Sequence, residues 1–500
     1  MGANLSLDIS LALLARIAPG LLSILAVPLY VRILGADQYG AVGLFMTVQM
    51  FVGLLDLGFS VAISREASWL TGHGASRRDL GCLLRTAEIF FWGMALVIAM
   101  AGFALGDDIL QWIFGVDIAF VGLSGFVSAL LFLAIAARFP FSAYYAHISG
   151  RGYVAQANLI ILAGDSMRVV GTIGLLLAYG DSLALFFGWH ALISVAMSFI
   201  GRLHAHRNLG MGECGYRFDV AIVRKLRAFA FGSSILTLLF VAANSLDKVL
   251  LPRFLSASDF GYYIVVSQLA STVFMVTHAI WGGVHPRMLI EISTGNSVRG
   301  RRIYSIAASL MTAVCAGSVI AASTSGRDFL ALWIGSGVDA SEFSVVLTVL
   351  VLGYSFAALS HLAFTIQHAV KSVLVSVLVM GLAVPVVPLL AYSVWGEFNP
   401  LRGGFAWSVI YFCLFCSGCI TYLKHGRDFF GMWMLRICIP MALVVGVSIC
   451  LGMQTPHMSG LAGVIYGVAL GGVTASAILV SNREIRSKAL AAWNGPDNGA

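Results

Sequence analysis

Apolar runs of roughly 20 residues recur through nearly the whole chain, and a run of that length is a helix that crosses about 30 Å of hydrocarbon. Backbone in lipid must close its own hydrogen bonds, which leaves helices or a closed barrel. A barrel needs ten-residue segments that alternate apolar and polar, and continuous runs such as LFLAIAA do not alternate. Composition agrees: 59% of residues are apolar and 11% charged, against about a quarter charged in soluble chains. With a mean hydropathy of +0.92 the chain lacks the polar surface to cover itself in water. The expected class is an all-α polytopic membrane protein.

Spans are expected at about 10–31, 39–63, 87–106, 118–142, 154–178, 182–201, 229–251, 258–282, 303–322, 343–366, 371–391, 403–422, 435–453 and 457–480, fourteen in all. With both termini placed in the cytoplasm, 22 of the 30 Lys and Arg fall in inward segments, and Arg32, Arg253, Arg327 and Arg402 fall outside. That bias follows the positive-inside rule and fits an even number of spans. It also accounts for the net charge of +7 without nucleic acid. No cleavable signal peptide is expected, because the first twelve residues hold no Lys or Arg.

The expected organisation is an N-terminal six-helix lobe at 1–201, a basic cytoplasmic linker at 202–228, a second six-helix lobe at 229–422, an accessory helix pair at 423–482 and a cytoplasmic tail at 483–500. The linker is either a hinge or a charged, lipid-facing connection, with an amphipathic stretch near Phe218 to Phe229. An internal repeat supports two halves. PLYVRILGADQYG (28–40) joins two apolar runs through a polar turn, and NSLDKVLLPRFLSASDFGYYIVVSQ (244–268) repeats the order of cation, leucine-rich run, Asp, Gly and aromatic. Gly35 is expected to end a helix with positive φ and Asp37 to cap the next; Ser256 or Ser258, with Asp259, takes the capping role in the second copy.

Ionisable groups inside spans are costly, so they should face other helices or a watery cavity. The in-span cations are Arg16, Arg138, Arg168 and Lys248. Arg138 lies near a helix end and can snorkel. Arg16 serves substrate binding or interface anchoring. Asp165 and Arg168, spaced i,i+3, either neutralise one another or lend hydrogen bonds to an anionic ligand. Asn244, Asp247 and Lys248 share one part of the seventh span, as a wall that contacts phosphate or sugar or as a packing pair. Asp56 is placed to pair with Arg65 or Arg16, or to carry a coupling proton or sodium ion, and Glu88 to pair with Arg85.

His190, His278, His361, Gln49, Gln268 and Gln367 add polarity to apolar spans. Each reads as an interhelical hydrogen-bonder, with His278 and His361 as candidates for ion coupling or gating. Cys413, Cys416 and Cys419 share a helical face, which suits small-residue packing better than metal binding in an apolar run. The eight cysteines show no disulfide framework. No enzyme constellation, cofactor motif, metal site or channel filter is visible.

PLYVRILGADQYG followed by LLDLGFSVAISREAS (54–68) resembles the N-terminal signature of the polysaccharide biosynthesis and export family, the O-antigen flippase-like transporters of the multidrug/oligosaccharidyl-lipid/polysaccharide exporter superfamily. The resemblance implies a fourteen-helix, two-lobed, alternating-access transporter in the bacterial inner membrane. Such a protein moves polyprenyl-diphosphate-linked oligosaccharide to the outer leaflet, beside membrane lipids, a polysaccharide polymerase and chain-length machinery. By position, Arg16 and Lys248, then Arg168 and Asn244, are the implied cargo contacts, and Asp56, Asp247, His278 and His361 the coupling or gating candidates. Two alternatives stand beside it: an ion-coupled drug exporter of the same superfamily, which needs a cavity carboxylate, and a noncatalytic scaffold for glycan assembly, which tolerates neutralisation of these charges.

Overall fold

The computed structural model describes residues 2–56, 58–115, 122–207, 209, 217–293, 297–335, 339–370, 373–454, 460–482 and 484–487, with the side chains of 2–17, 221, 225–237, 293, 297 and 452–454 left out. All regular elements among them are helical. Twelve segments among the described residues are long and apolar enough to cross a membrane. One of these, Ala18–Asp56, has 39 residues. At about 1.5 Å per residue that is roughly 58 Å of helix, enough for the first two expected spans. The seventh expected span lies in α7 (Val220–Leu250), and where the expected spans fall on described residues they are helical apart from a few terminal positions and a break at 54–58. The chain is an all-α polytopic membrane protein.

Two boundaries near the N-terminus differ from expectation, and both have a local cause. Helix α1 (Gly2–Gly53) runs through the expected turn, and only Gly35 leaves helical geometry, with φ 79° and ψ 162°. One glycine accepts the inversion that an L side chain resists, so no longer loop is needed. The second expected span, 39–63, is instead interrupted. A 3₁₀ turn at Leu54–Asp56 and Gly58 at φ 75° precede α2 (Phe59–Gly72). Asp56 holds that break: its Oδ1 accepts from Ser60 N at 2.9 Å and its Oδ2 from the Ser60 hydroxyl. A carboxylate that satisfies an orphan N–H at a helix start favours starting a new helix there.

Helices α3 (Arg77–Phe114), α4 (Gly125–Gly150), α5 (Val154–Tyr179) and α6 (Leu183–Arg207) follow, then α7 and α8 (Ala257–Ser293). The chain forms two compact units, 1–261 and 262–500. The expected linker, 202–228, lies inside the first unit, where α7 packs on α1, α2 and α3. The second copy of the repeated turn uses different chemistry from the first. A 3₁₀ turn at Leu251–Arg253 ends α7, and Ser256 Oγ accepts from Asp259 N at 3.1 Å to cap α8. Arg253 donates from Nε to the Phe114 carbonyl at 3.1 Å, satisfying an open carbonyl at the end of α3. Gly261 sits so close to Ala36 that an added Cβ would overlap its carbonyl oxygen.

The N-terminal part of α3 and the C-terminal parts of α4 and α6 are joined by a buried carboxylate. Glu88 accepts from Arg85 at 3.1 Å, as its i,i+3 spacing predicts, and also from Tyr144 OH at 3.0 Å, Arg202 Nε at 3.2 Å and His206 Nε2 at 2.8 Å. Two guanidinium groups, an imidazole and a phenol replace the water that such a carboxylate loses on burial.

In the second unit, α9 (Ser297–Trp333) packs against α10 (Ala340–Ala369), α14 (Ile439–Gln454) and α15 (Leu461–Ser481), while α12 (Pro400–His425) joins α10 to α11 (Leu374–Trp395). Helix α13 (Arg427–Trp433) continues into α14 through a π-helical turn at Met434–Cys438. Gly463, Gly467 and Gly471 form the buried face of α15. A Cβ at Gly471 would come 2.5 Å from Gly317 O, so backbone lies on backbone, as small residues permit in lipid. Asn482 then donates to Ser309 Oγ at 2.8 Å, and Arg302 pairs with Glu484 at 2.7 Å. The expected accessory helices are thus fastened through α15 to α9.

Candidate functional site

The first unit holds a cavity of about 250 Å³ between α1, α4, α5 and α6. Its polar lining is Ser23, Gln49, Arg138, Asp165, Arg168, His190 and Ser194. Close helix approach assembles it. A Cβ at Gly164 would overlap Met197 and one at Gly171 would overlap Trp189, so these two glycines let α6 approach α5. That approach brings Ser194 of α6 within 3.2 Å of Arg168 of α5. On the α1 side, Tyr30 donates to the Val169 carbonyl at 3.2 Å and its ring meets Phe186 edge-on.

Arg168 is the centre of this site. Its side chain is 7% exposed, and Nη1 donates to Asp165 Oδ1 at 2.5 Å. Nη2 donates to Ser194 Oγ and at 3.5 Å to Met197 Sδ. Nε is buried with no hydrogen-bond acceptor among the described residues. Arg138, reaching from α4, places Nη2 3.5 Å from the other oxygen of Asp165. One carboxylate therefore faces two guanidinium groups, and the cluster carries an excess positive charge. A buried donor without a partner costs free energy that an anionic ligand can recover. His190, whose Nδ1 donates to Phe186 O at 2.8 Å, completes the wall.

The Asp165 and Arg168 pair follows from i,i+3 spacing, but Arg138 enters it from another helix and reads in sequence as a snorkelling residue. Ser194, Gln49 and His190 carry no sequence signal of convergence on this cavity; in-span charge at positions 138, 165 and 168 is the signal that does point here. Lys248, Asp247 and Asn244 are not in its lining. Lys248 Nζ donates to both oxygens of Asp247, at 3.2 and 3.0 Å, and to the Asn244 carbonyl at 3.2 Å. Asp56 caps α2, as described above. The Arg16 side chain lies outside the described residues. His278 and His361, in the second unit, are brought together with ring centroids 5.3 Å apart. Cys413, Cys416 and Cys419 are free thiols.

No family model matches the chain, and no curated protein matches its sequence. Solved structures do match in fold. A lipid II flippase MurJ in an inward closed conformation superposes with a TM-score of 0.70 at 13% identity, over 93% of this chain and 98% of that one. An inward-facing multidrug resistance MATE family transporter of the MOP superfamily gives 0.64 at 16% identity, over 84% and 98%. The Vibrio cholerae MATE transporter VcmN in a bent form gives 0.54 at 14% identity, over 87% and 99%. This chain has the fold of the MOP-superfamily transporters.

Proposed function

We propose that the protein is a flippase that moves polyprenyl-diphosphate-linked oligosaccharide from the cytoplasmic to the outer leaflet of a bacterial inner membrane by alternating access. The carrying observation is the cavity charge: Arg138 and Arg168 share the single carboxylate of Asp165, and Arg168 Nε is a buried donor without a partner among the described residues. A diphosphate supplies the anionic acceptors that this cluster lacks. The cavity's 250 Å³ is below the roughly 300–1,000 Å³ of drug-sized pockets, which suits a diphosphate headgroup with the glycan extending beyond it. The signature at 28–68 and the superposition on a lipid II flippase support the same reading.

The second reading, a drug exporter, draws on the likeness to MATE transporters and on the carboxylate of Asp165. A cationic cargo would have to displace two arginines from that carboxylate, and this favours the anionic cargo. Reconstitution with a defined polyprenyl-diphosphate sugar and leaflet-resolved accessibility tests the choice. Transfer lost in Arg168→Ala and retained in Asp165→Asn supports the flippase. Transfer unaffected by Arg168→Ala in folded protein, with cationic-dye export abolished by Asp165→Asn, supports the exporter.

A further inference from the structure

Four histidines of the second unit lie along one α8 and α10 face. His278, Trp281 and His285 follow one another at helical spacing on α8, and His361, Thr365 and His368 do so on α10. The rings interleave: His278 to His361 at 5.3 Å, Trp281 to His361 at 4.8 Å, Trp281 to His285 at 4.4 Å and His285 to His368 at 5.4 Å. His368 is exposed, His285 and His278 are partly buried and His361 is buried.

Hydrogen bonding sets the tautomers. His361 Nδ1 is 3.2 Å from the Ala358 carbonyl, which only accepts, so Nδ1 carries the proton and the Nε2 lone pair remains for another. Thr365 Oγ1 donates to the His361 carbonyl at 3.1 Å and accepts from Trp281 Nε1 at 3.1 Å. Its second lone pair accepts from His285 Nδ1 at 2.9 Å, so His285 also keeps Nε2 as its basic atom. Each of these imidazoles can therefore gain a proton at Nε2 while its Nδ1 hydrogen bond stays in place. Two imidazolium rings within about 5 Å repel, so each histidine pair favours one added proton, and the Trp281 face offers a cation–π partner to the ring that holds it.

Tyr354 on α10, Tyr411 of α12 beyond Trp407, and Cys315 of α9 beside Ser355 also pack on these helices. Glu291, on α8 beyond His285, is paired with Arg299 of α9 at 3.1 Å. Arg287, two residues past His285 on α8, is exposed.

We propose that this histidine ladder is a proton-binding site that couples a proton gradient to transport, with His368 as its entry and His361, beside the half-buried His278, as its buried end. The coupling half of the proposal rests on the transporter reading above; the proton site does not. Two measurements separate them. The first needs no cargo: tryptophan emission of the full protein in detergent is titrated with acid, and the Trp281 share is isolated by difference from Trp281→Phe. An imidazolium beside indole quenches it, so this share falls on acidification in wild type and stays flat only when all three rings around Trp281 are replaced, in His278→Gln/His285→Gln/His361→Gln. A Trp281 share indifferent to pH in wild type overturns the proton site. The second measurement uses proteoliposomes with a luminal pH dye and a short-chain polyprenyl-diphosphate N-acetylglucosamine probe. Wild type shifts the probe's leaflet ratio by up to about tenfold per pH unit for one coupled proton, with luminal pH change. His278→Gln/His361→Gln, and His368→Gln at an exposed position that tolerates change, retain probe exchange and lose the response to the gradient. A gradient response equal to wild type in folded variants overturns the coupling. An intact Trp281 titration with no probe movement in wild type overturns the cargo reading and leaves the proton site standing.

Discussion

Tyr30 donates its hydroxyl to the backbone carbonyl of Val169, across 139 residues of sequence, and so ties the signature stretch to the residue beside Arg168. The phenol is buried and its ring rests on Phe186 of α6. One side chain thereby fixes α1 against both helices that carry the cavity's Arg168 and Ser194. Tyr30→Phe keeps the ring and deletes the bond. It is expected to cost about 1 kcal/mol, the ordinary net value of one buried hydrogen bond, seen as a lower melting temperature in detergent, with transport reduced but present.

Arg168 is expected to matter more to transport than to folding only when its charge is kept or removed together with its counter-charge. Arg168→Lys retains the cation but cannot reach Asp165, Ser194 and a ligand with one ammonium. It should weaken binding of a diphosphate probe by about 10- to 100-fold, the equivalent of about 1.5–3 kcal/mol for a hydrogen bond to a charged group. Arg168→Met/Asp165→Leu removes the pair and leaves Arg138, 40% exposed, to water; it should fold nearly as well as wild type while losing binding, because a buried pair replaced by apolar groups is often neutral in stability. Equilibrium binding of the probe, with thermal melting as control, separates the two variants.

Glu88 predicts the opposite pattern, stability first. Removing it strands Arg85, Arg202 and His206 and unties α3 from α4 and α6. Glu88→Ala is expected near the low end of the about 3–5 kcal/mol typical of a broken buried ion pair, since Arg85 and Arg202 are 44% and 46% exposed and water screens them. Denaturant or thermal unfolding in detergent measures it, and Glu88→Gln, which keeps an acceptor for Tyr144 OH, should recover part of the loss.

What the sequence made legible follows the range of the interactions. Helices that span lipid declare themselves by length and hydropathy, and pairs within one helix, such as Asp165 with Arg168 and Arg85 with Glu88, follow from i,i+3 spacing. Contacts between helices leave no such trace. Arg138 reads alone as a snorkelling cation, yet in three dimensions it shares Asp165. Lone histidines at 278 and 361 become neighbours only when α8 and α10 pack. Asp56 looks like a charge inside a span because the inversion at Gly58, two residues on, is a backbone event that hydropathy does not register.

Gly261 offers the sharpest test of close packing. Its neighbour is the Ala36 backbone, beside the inverted Gly35, so an added methyl meets a carbonyl that cannot swing aside as a flexible side chain would. Gly261→Ala should therefore destabilise despite alanine's better helix propensity, by about 1–3 kcal/mol as overpacking usually does. Gly282 lies on the same helix with nothing within 4 Å of an added Cβ. Gly282→Ala should be neutral or stabilise by up to about 1 kcal/mol through propensity alone. Paired melting curves of the two variants decide the matter: a similar small gain in both would mean that Gly261 does not need the close approach, whereas opposite signs would tie the repeated turn at 251–261 to the turn at Gly35 through steric fit.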